Sequence, residues 1–223
     1  MIEWHKINTV FLDMDGTLLD LHYDNYFWRE YVPQVYAQTN DISVEQAKEK
    51  LFPLFQRVEG TMEWYCVDYW SQTLDLDIAQ LKRNIKELIQ IHPFAMQFLE
   101  VLKQTHHRVV LLTNAHHKSL MLKMETTRLT NHFDRMISTH EIGLPKENDQ
   151  FWDKLQQIEP FDKHAALLVD DSLAVLQCAK RYGLGYLLAI SRPDSKGQVR
   201  DVIDFEAIAN FSEVIPQINV LLN

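Results

Sequence analysis

The fold is decided by the stretch Val10-Phe11-Leu12-Asp13-Met14-Asp15-Gly16-Thr17-Leu18-Leu19. An apolar run bounded by glycine predicts a buried strand, and side chains two residues apart on a strand share a face. We therefore expect Asp13 and Asp15 to project together from the carboxyl end of this strand, where open α/β sheets bind ligands. Two like charges there are unfavourable unless a cation or a proton compensates them, which predicts a divalent metal and a nucleophile. The alternative is an Asx-type turn that only closes the strand.

Two later apolar runs also end in polar side chains. One runs from Val109 to Thr113, and the other runs from Leu167 to the acid pair Asp170-Asp171. Between these two runs, Lys146 stands in a short loop that reads Gly-Leu-Pro-Lys-Glu. Taken alone, a threonine such as Thr113 is typical of a strand end. A loop lysine is usually solvated.

Together and in this order, the four segments resemble the signature motifs of the haloacid dehalogenase-like hydrolases, a superfamily dominated by Mg-dependent phosphatases. The first motif is Asp-x-Asp-x-Thr, matched by Asp13, Asp15 and Thr17. The others are a strand ending in Ser or Thr, an isolated lysine, and a strand ending in paired acids. The match spans nearly the whole chain. The second aspartate separates phosphoryl transfer from dehalogenation in this superfamily, and because the chain keeps Asp15, we do not expect a dehalogenase.

The resemblance assigns roles to these residues. It implies that Asp13 is the nucleophile of an aspartyl-phosphate intermediate and that Asp15 is the acid and base. It implies a Mg²⁺ cofactor, because Mg²⁺ prefers oxygen ligands and also binds substrate phosphate. Carboxylate oxygens of Asp13 and Asp170 and the backbone carbonyl of Asp15 would hold the metal, and Asp171 would hold a metal-bound water. The expected phosphate-binding groups are those of Thr113, Asn114, Ala115 and Lys146.

The pattern of helices and strands predicts an α/β fold. Residues 19–93 read almost wholly helical, whereas from Pro93 onward helices alternate with strands, which predicts a parallel, doubly wound sheet. We therefore expect a Rossmann-like core at 1–18 and 92–223 and an inserted α-helical cap domain at 19–91. In the superfamily this is a type-one cap, hinged near 17–20 and 91–93, and the first and fourth strands are neighbours. The expected helices are 24–38, 43–58, 62–74, 77–89, 94–104, 118–128, 149–158, 173–182 and 213–222, and the later strands are 108–113, 135–139, 165–170 and 185–190.

Sequences within the predicted cap bear on the substrate. Segments 18–28 and 64–70, together with 111–116 and 145–147, look like those of bacterial purine 5′-nucleotidases acting on GMP and IMP. This implies a nucleoside monophosphate substrate, with Asp24, Asn25 or a cap aromatic near the sugar or base. Most aromatics at helical spacing pack in a core, and we expect about three quarters of them to do so here. The aromatics concerned are Tyr23, Tyr26, Phe27, Trp28, Tyr31, Tyr36, Trp64, Tyr65, Tyr69 and Trp70.

Composition excludes several classes of protein. The net charge of −9 argues against a nucleic-acid polymer as partner. No apolar run is long enough to cross a membrane and no opening segment resembles a signal peptide, so a cytoplasmic protein is expected. Cys66 and Cys178 are too few for a disulfide scaffold, and each lies in a helical pattern, so two reduced thiols are expected. The adjacent pairs His106-His107 and His116-His117 lack the spacing that puts two imidazoles on one helical face, and His116 is either a substrate contact or a capping residue.

The leading interpretation is a Mg-dependent phosphomonoesterase of a small phosphate ester, most simply a purine nucleoside 5′-monophosphate. A sugar-phosphate or phosphoglycolate phosphatase, or a phosphomutase, would use the same core, and only the cap would distinguish these enzymes. A non-catalytic module that senses a phosphometabolite is the alternative from another class. The oligomeric state and the choice between Mg²⁺ and Mn²⁺ stay open at this stage.

Overall fold

A six-stranded parallel sheet forms the centre of the computed structural model, which describes residues 2–222. The strand order is β3-β2-β1-β4-β5-β6, and every neighbouring pair is parallel. The predicted α/β class and the pairing of the first strand with the fourth are confirmed. The strands are β1 (Thr9–Leu12), β2 (Arg108–Thr113), β3 (Arg135–Ser138), β4 (Ala166–Asp170), β5 (Tyr186–Ile190) and β6 (Glu206–Ile208).

Alternation along the strands divides the apolar core into two halves. On β1, Val10 and Leu12 join one buried cluster, whereas Phe11 joins the other. Successive side chains of a strand point to opposite faces, so a strand buried on both sides needs a continuous apolar run. The same division holds on β4, where Leu167 lies on one face and Leu168 on the other. The central strands β1 and β4 are therefore buried on both faces, and this packing fixes the position of the polar residues at their carboxyl ends.

Helices cover both faces of the sheet and fill the segment between β1 and β2. We propose residues 19–91 as a cap domain and call them the cap segment; the remainder of the chain is the core. Six helices lie in the cap segment: α1 (His22–Tyr26), α2 (Val32–Asn40), α3 (Val44–Val58), α4 (Met62–Tyr65), α5 (Val67–Leu74) and α6 (Ile78–Asn84). Five lie in the core: α7 (Ala95–Leu102), α8 (His117–Thr127), α9 (Phe151–Ile158), α10 (Leu173–Tyr182) and α11 (Ile215–Asn219).

Three sequence predictions of these elements were wrong in detail. The helix expected over 62–74 breaks at Cys66, whose extended backbone separates α4 from α5 and whose sulfur accepts the N–H of Tyr69. The helix expected over 24–38 contains Pro33, and a π-helical turn over Phe27–Tyr31 between α1 and α2 accommodates the amide that proline lacks. The three-residue strand β6 was not predicted.

The chain passes between the core and the cap segment twice, and these two connecting stretches are hydrogen-bonded to each other. Leu19 and Ile91 form an antiparallel bridge, and the His92 N–H donates to the Leu18 carbonyl over 2.8 Å. A loop after β5 supports them, since the Leu21 N–H donates to the carbonyl of Pro193. The predicted hinges therefore lie side by side, and we propose that the cap segment moves about this paired crossing. Among the described residues, no helix has both the length and the apolar character needed to cross a membrane.

Candidate active site

A buried lysine joins the ends of the two central strands. Asp13 follows β1, and Asp170 is the last residue of β4. The Lys146 ammonium donates to Asp13 Oδ1 over 2.5 Å and to Asp170 Oδ2 over 2.6 Å, and it also donates to the carbonyl of Leu112. All three side chains are almost completely buried. Because the loop lysine is taken out of water to meet two carboxylates, charge balance rather than solvation explains its position.

A third carboxylate, that of Asp171, completes this group. Ligand atoms of Asp13, Asp170 and Asp171 lie within 4.8 Å of one another. Gly16 makes the approach possible: its φ is +87°, and a Cβ at this position would lie 2.6 Å from the Asp171 carboxyl carbon. Glycine is needed here for both its backbone conformation and its missing side chain. We call Asp13, Asp170, Asp171 and Lys146 the carboxylate cluster.

The carboxylate cluster keeps an excess of negative charge. Burial raises the pKa of Asp13 to about 6, although Lys146 acts in the opposite direction. Burial also raises the pKa of Asp170, and burial together with the charges of Asp13 and Asp170 raises the pKa of Asp171 well above its usual value. The Lys146 ammonium and the partly exposed Arg200 guanidinium, 3.5 Å from Asp171, therefore do not fully compensate three neighbouring carboxylates. The cluster fits a hard divalent cation, because carboxylate oxygens are the ligands Mg²⁺ prefers and because Lys146 uses only one oxygen each of Asp13 and Asp170.

The residues around β2 hold Lys146 in place. Asn114 accepts the backbone N–H of Lys146 through Oδ1 over 3.0 Å, and its amide nitrogen donates to Glu147 over 2.9 Å. Thr113 is buried, and its hydroxyl oxygen accepts the N–H of Ala115 over 3.0 Å. The Thr113 O–H proton remains to be donated, whereas the Ala115 N–H and the Asn114 side chain already have protein partners. The structure thus brings the predicted phosphate-binding residues together, but shows Asn114 as a support for the lysine.

Asp15 belongs to a second charged group that sequence reasoning missed. Lys123 of α8 donates to Asp15 Oδ1 and to Asp24 Oδ2, each over 2.6 Å. The other oxygen of Asp24 accepts from Lys82 over 2.9 Å. Both lysine side chains are at most 5% exposed. We call these four residues the bridging cluster, because Asp24 and Lys82 belong to the cap segment while Asp15 and Lys123 belong to the core.

The electrostatics of the bridging cluster differ from those of the carboxylate cluster. Burial alone would raise the pKa of Asp24, but Lys123 and Lys82 outweigh it and hold the pKa well below its usual value. Burial alone would lower the pKa of Lys123, but Asp15 and Asp24 raise it. Burial raises the pKa of Asp15 to about 6. The prediction that Asp13 and Asp15 project together therefore needs refinement: both line one cavity, yet the chain turns after β1 and each carboxylate meets a different lysine.

The two clusters lie at one end of a cavity of about 710 Å³ between the core and the cap segment. Asp24 and Asn25 also line this cavity, but the Asn25 amide donates to Asp194 over 2.7 Å. His116 lines it as well and caps α8 through Nδ1, which confirms the capping role, while its contact with a substrate stays a prediction. Three of the ten cap-segment aromatics named above line the cavity, together with two phenylalanines of α3. These five side chains are Trp28, Phe52, Phe55, Trp64 and Tyr65.

Fold and cluster geometry define a class of protein, and comparison with known proteins confirms it. The model of the family described as haloacid dehalogenase-like hydrolase matches residues 7–183. The chain therefore belongs to the haloacid dehalogenase-like hydrolases.

Several individual proteins are similar to the chain over nearly its whole length. The chain is 36% identical over 217 residues to the GMP/IMP nucleotidase YrfG of Escherichia coli K12, covering 97% of this chain and 98% of the relative. The GMP/IMP nucleotidase YrfG of Shigella flexneri gives the same values. Among solved structures, the HAD phosphatase from Thermococcus onnurineus has a TM-score of 0.77 at 21% identity, covering 97% of this chain and 98% of that one. That structural likeness supports the fold.

Proposed function

We propose that the protein is a Mg²⁺-dependent phosphomonoesterase that hydrolyses purine nucleoside 5′-monophosphates such as GMP and IMP. The observation that carries the proposal is the carboxylate cluster, a buried group of three carboxylates and one lysine at the end of a cavity of about 710 Å³. The relatives named GMP/IMP nucleotidase support the substrate class. The cavity volume lies within the range of about 300–1,000 Å³ that small-molecule sites occupy.

The metal would be held by the carboxylates of Asp13 and Asp170 and by the backbone carbonyl of Asp15, with Asp171 acting through a water ligand. When bound, Mg²⁺ supplies positive charge that offsets the repulsion between the carboxylates and a phosphate group. The raised pKa values of Asp13, Asp170 and Asp171 support this assignment, because they indicate that the protein alone does not balance the cluster.

The chemistry itself is assigned to two aspartates. An oxygen of Asp13 forms a bond to phosphorus while the bond between phosphorus and the leaving alkoxide breaks. Asp15 gives its proton to the alkoxide oxygen. It then takes a proton from the water that hydrolyses the aspartyl phosphate, so Asp13 returns as a carboxylate. A pKa raised to about 6 by burial suits Asp15 for this work, since an acid–base group works best near the operating pH.

Two further residues would stabilise the transferring phosphoryl group. The Lys146 ammonium lies between Asp13 and Asp170, where it faces the charge that develops in the transition state. The Thr113 hydroxyl has a proton to donate to a phosphate oxygen, since its oxygen is fixed by the Ala115 N–H. The side chain of Asn114 positions Lys146, and Ala115 positions Thr113. These support roles replace the direct phosphate contacts first expected from their place in the sequence.

The cap end of the cavity has the groups that a 6-oxopurine needs. Trp28 and Phe52 line it and offer faces on which a base stacks, an interaction worth about 1–3 kcal/mol per base. Arg29 and Gln56 also line it and are exposed, so their N–H groups are available. GMP and IMP both present a C6 carbonyl and N7 as acceptors, the edge that arginine recognises on guanine. AMP presents an amino group at C6 instead.

Asp24 and Asn25 are proposed to shape the sugar end of the cavity. Both oxygens of Asp24 bind lysines, so Asp24 acts on a ligand through Lys82 and Lys123. The Asn25 amide nitrogen is held by Asp194, which leaves its side-chain carbonyl as the acceptor for a ribose hydroxyl. Asp24 is therefore proposed to act on the substrate indirectly, and Asn25 to contact the ribose through its side-chain carbonyl.

The decisive experiment compares kcat/KM for GMP, IMP, AMP, sugar phosphates and phosphoglycolate in the presence of Mg²⁺. We expect the 6-oxopurine nucleotides to lead, chelation to abolish turnover, and Asp13→Asn to abolish phosphate release. Near-normal turnover by the Asp13→Asn enzyme would contradict the mechanism. Equal values across the panel would contradict the nucleotide assignment while leaving the phosphatase assignment intact.

The proposed contact between Arg29 and the purine base is tested separately. Arg29→Ala should raise KM for GMP about 10-fold, the loss expected for one charged hydrogen bond, and leave hydrolysis of an aryl phosphate unchanged. Arg57→Ala is the matched control, because Arg57 is exposed on the same cap segment but does not line the cavity. Parallel losses on both substrates in the Arg29→Ala enzyme would exclude Arg29 as a base contact.

A further inference from the structure

A cysteine and two histidines from separate parts of the chain meet beside the cavity. Ligand atoms of Cys66, His116 and His140 lie within 4.8 Å of one another. Cys66 lies between α4 and α5 in the cap segment, His116 precedes α8, and His140 lies in a helical turn after β3. No local sequence pattern connects these positions, and the adjacent histidine pair at 116–117 gave no indication of a metal site.

The donor set has the chemistry of a transition-metal site. Thiolate and imidazole are the ligands that Zn²⁺ prefers, at about 2.3 Å from sulfur and about 2.0–2.1 Å from nitrogen. In a tetrahedral site these bond lengths place the donor atoms roughly 3.5 Å apart. The donors at this site, at most 4.8 Å apart, would have to close by about 1 Å, a movement that side-chain rotations supply.

His140 is already oriented as a metal-binding histidine. Its Nε2 atom is buried and has no hydrogen-bond partner among the described residues. Burial lowers the pKa of this imidazole, whereas an interaction with the backbone carbonyl of Tyr65 acts to raise it and favours a proton on the ring. Metal-bound histidines typically donate one ring N–H to a carbonyl or carboxylate while the other nitrogen binds the ion. A buried polar atom without a partner is unfavourable, and a bound ion would satisfy it.

His116 and a neighbouring aspartate can complete the site. His116 Nδ1 accepts the Lys118 N–H over 3.3 Å, a long hydrogen bond that competes weakly with a metal. Its Nε2 atom lies 3.7 Å from Asp68 Oδ2. Zinc takes four ligands in structural sites, so Asp68 or a water would fill the fourth position.

We propose that Cys66, His116 and His140 bind Zn²⁺ or a similar thiophilic divalent ion at a site separate from the carboxylate cluster. The ion would tie the cap segment, through Cys66, to two loops of the core. A lid that has to open for product release turns over more slowly when it is tied down. The bound ion therefore inhibits hydrolysis, and this second part of the proposal rests on the proposed function.

Binding is tested on the reduced, full-length protein with Co²⁺ alone, which reports thiolate ligation through a near-ultraviolet charge-transfer band. We expect the band at one equivalent of Co²⁺ and its loss on adding Zn²⁺. Cys66→Ser should abolish the band and His140→Gln should weaken Co²⁺ binding at least 10-fold. Cys178→Ser, the matched control, should retain it, because Cys178 is buried on α10. Absence of the band in the unaltered protein, or its persistence in the Cys66→Ser protein, would overturn the proposal.

Inhibition is tested separately, with saturating Mg²⁺ and increasing Zn²⁺. The Cys66→Ser and His140→Gln enzymes should need at least 10 times more Zn²⁺ for half-inhibition than the unaltered and Cys178→Ser enzymes. Equal sensitivity of all four would mean that zinc acts at the carboxylate cluster, and would overturn the inhibitory role. If the protein hydrolyses no phosphate ester, the proposed function fails, while the Co²⁺ spectra still decide whether the site binds metal.

Discussion

Lys146 and Lys123 are both almost completely buried and each bridges two aspartates, yet they stand in opposite electrostatic surroundings. In the carboxylate cluster, three carboxylates face the buried ammonium of Lys146 and the partly exposed guanidinium of Arg200, and the pKa values of the acids are raised. In the bridging cluster, two carboxylates face two ammoniums, and the pKa of Asp24 is lowered, although burial raises that of Asp15 to about 6.

The difference separates a binding site from a structural connection. A cluster left with excess negative charge is stabilised only when a cation arrives, so it favours metal binding at the expense of the free protein. In a balanced cluster, the lysines of the protein compensate the charges of its carboxylates, and no added cation is needed. Because the bridging cluster joins Asp15 of the core to Asp24 of the cap segment, its balance would be complete only when the two segments are in contact. We expect substitutions in the two clusters to differ in kind.

The largest effect is expected for Lys146→Met. Removing the only ammonium of the carboxylate cluster takes away charge stabilisation of the transferring phosphoryl group, and kcat/KM should fall at least about 1,000-fold, the upper range for loss of one such donor. Steady-state kinetics with GMP and an aryl phosphate measure the loss. Lys154→Met, an exposed lysine of α9, is the control. A loss below 10-fold would show that the lysine is structural only.

A smaller and more selective effect is expected for Lys123→Met. Asp15 would lose the partner that fixes its carboxylate, and misplacement of a catalytic group by about 1 Å lowers the rate about 100-fold. We expect kcat to fall about 10- to 100-fold with little change in KM. Lys118→Met, on the same helix but half exposed, should leave kcat unchanged. If Lys123→Met is as damaging as Lys146→Met, the distinction between the two clusters is wrong.

Lys146 could be predicted from the sequence, but Lys123 could not. Lys146 follows a glycine and a proline in a loop between two strands that end in polar residues, and the superfamily motif gives it a role. Lys123 lies in the helix α8, where a lysine normally faces solvent, and it is buried here between Asp15 of the core and Asp24 of the cap segment. The same limit applies to the Cys66, His116 and His140 group. Contacts between segments depend on the tertiary arrangement, which periodicity does not contain.

The strands show the same division between local and long-range information. The runs that form β1, β2 and β4 are continuous and apolar, so their positions and their polar ends were predicted to within one residue. The strand β6 spans only three residues, Glu206–Ile208, and is held by pairing with β5. A strand this short has too few residues for a detectable alternation.

Stability without metal should respond with opposite signs in the two clusters. Asp171→Asn removes a buried charge whose pKa is raised, so it should raise the free energy of unfolding by about 1–3 kcal/mol in chelator. Asp24→Asn removes the carboxylate that pairs with two buried lysines. It should therefore lower the free energy of unfolding by about 3 kcal/mol. Denaturant titration measures both, and Asp201→Asn, at an exposed site, is the neutral control. If both variants change the free energy of unfolding in the same direction, the proposed difference between the two clusters is wrong.

The smallest expected effect is a pH dependence in chelator that distinguishes the clusters. The pKa of Asp13 is about 6 in the folded protein and 3.8 as the ordinary value, so between these values the folded state binds more protons than the unfolded state. The free energy of unfolding contributed by this group therefore falls as the pH rises through that window, by about 1–2 kcal/mol after sharing with coupled neighbours. For Asp24 the pKa is lowered, so its contribution is present above the ordinary value and is lost as the pH falls.

Denaturant titrations from pH 4 to pH 6.5 cover the window in which the raised carboxylates titrate, and comparing each variant with the unaltered protein removes the contribution of the histidines that also titrate there. Asp13→Asn should flatten the decline relative to the unaltered protein, and Asp15→Asn should flatten it as well, because the pKa of Asp15 is also about 6. Asp24→Asn should lower every value. A saturating divalent cation should reduce the decline to the part that Asp15 contributes, since the ion stabilises the ionised carboxylate cluster by mass action. If the full slope survives both Asp13→Asn and the cation, it belongs to Asp15 or to groups outside the carboxylate cluster, and the contrast between Lys146 and Lys123 loses its basis.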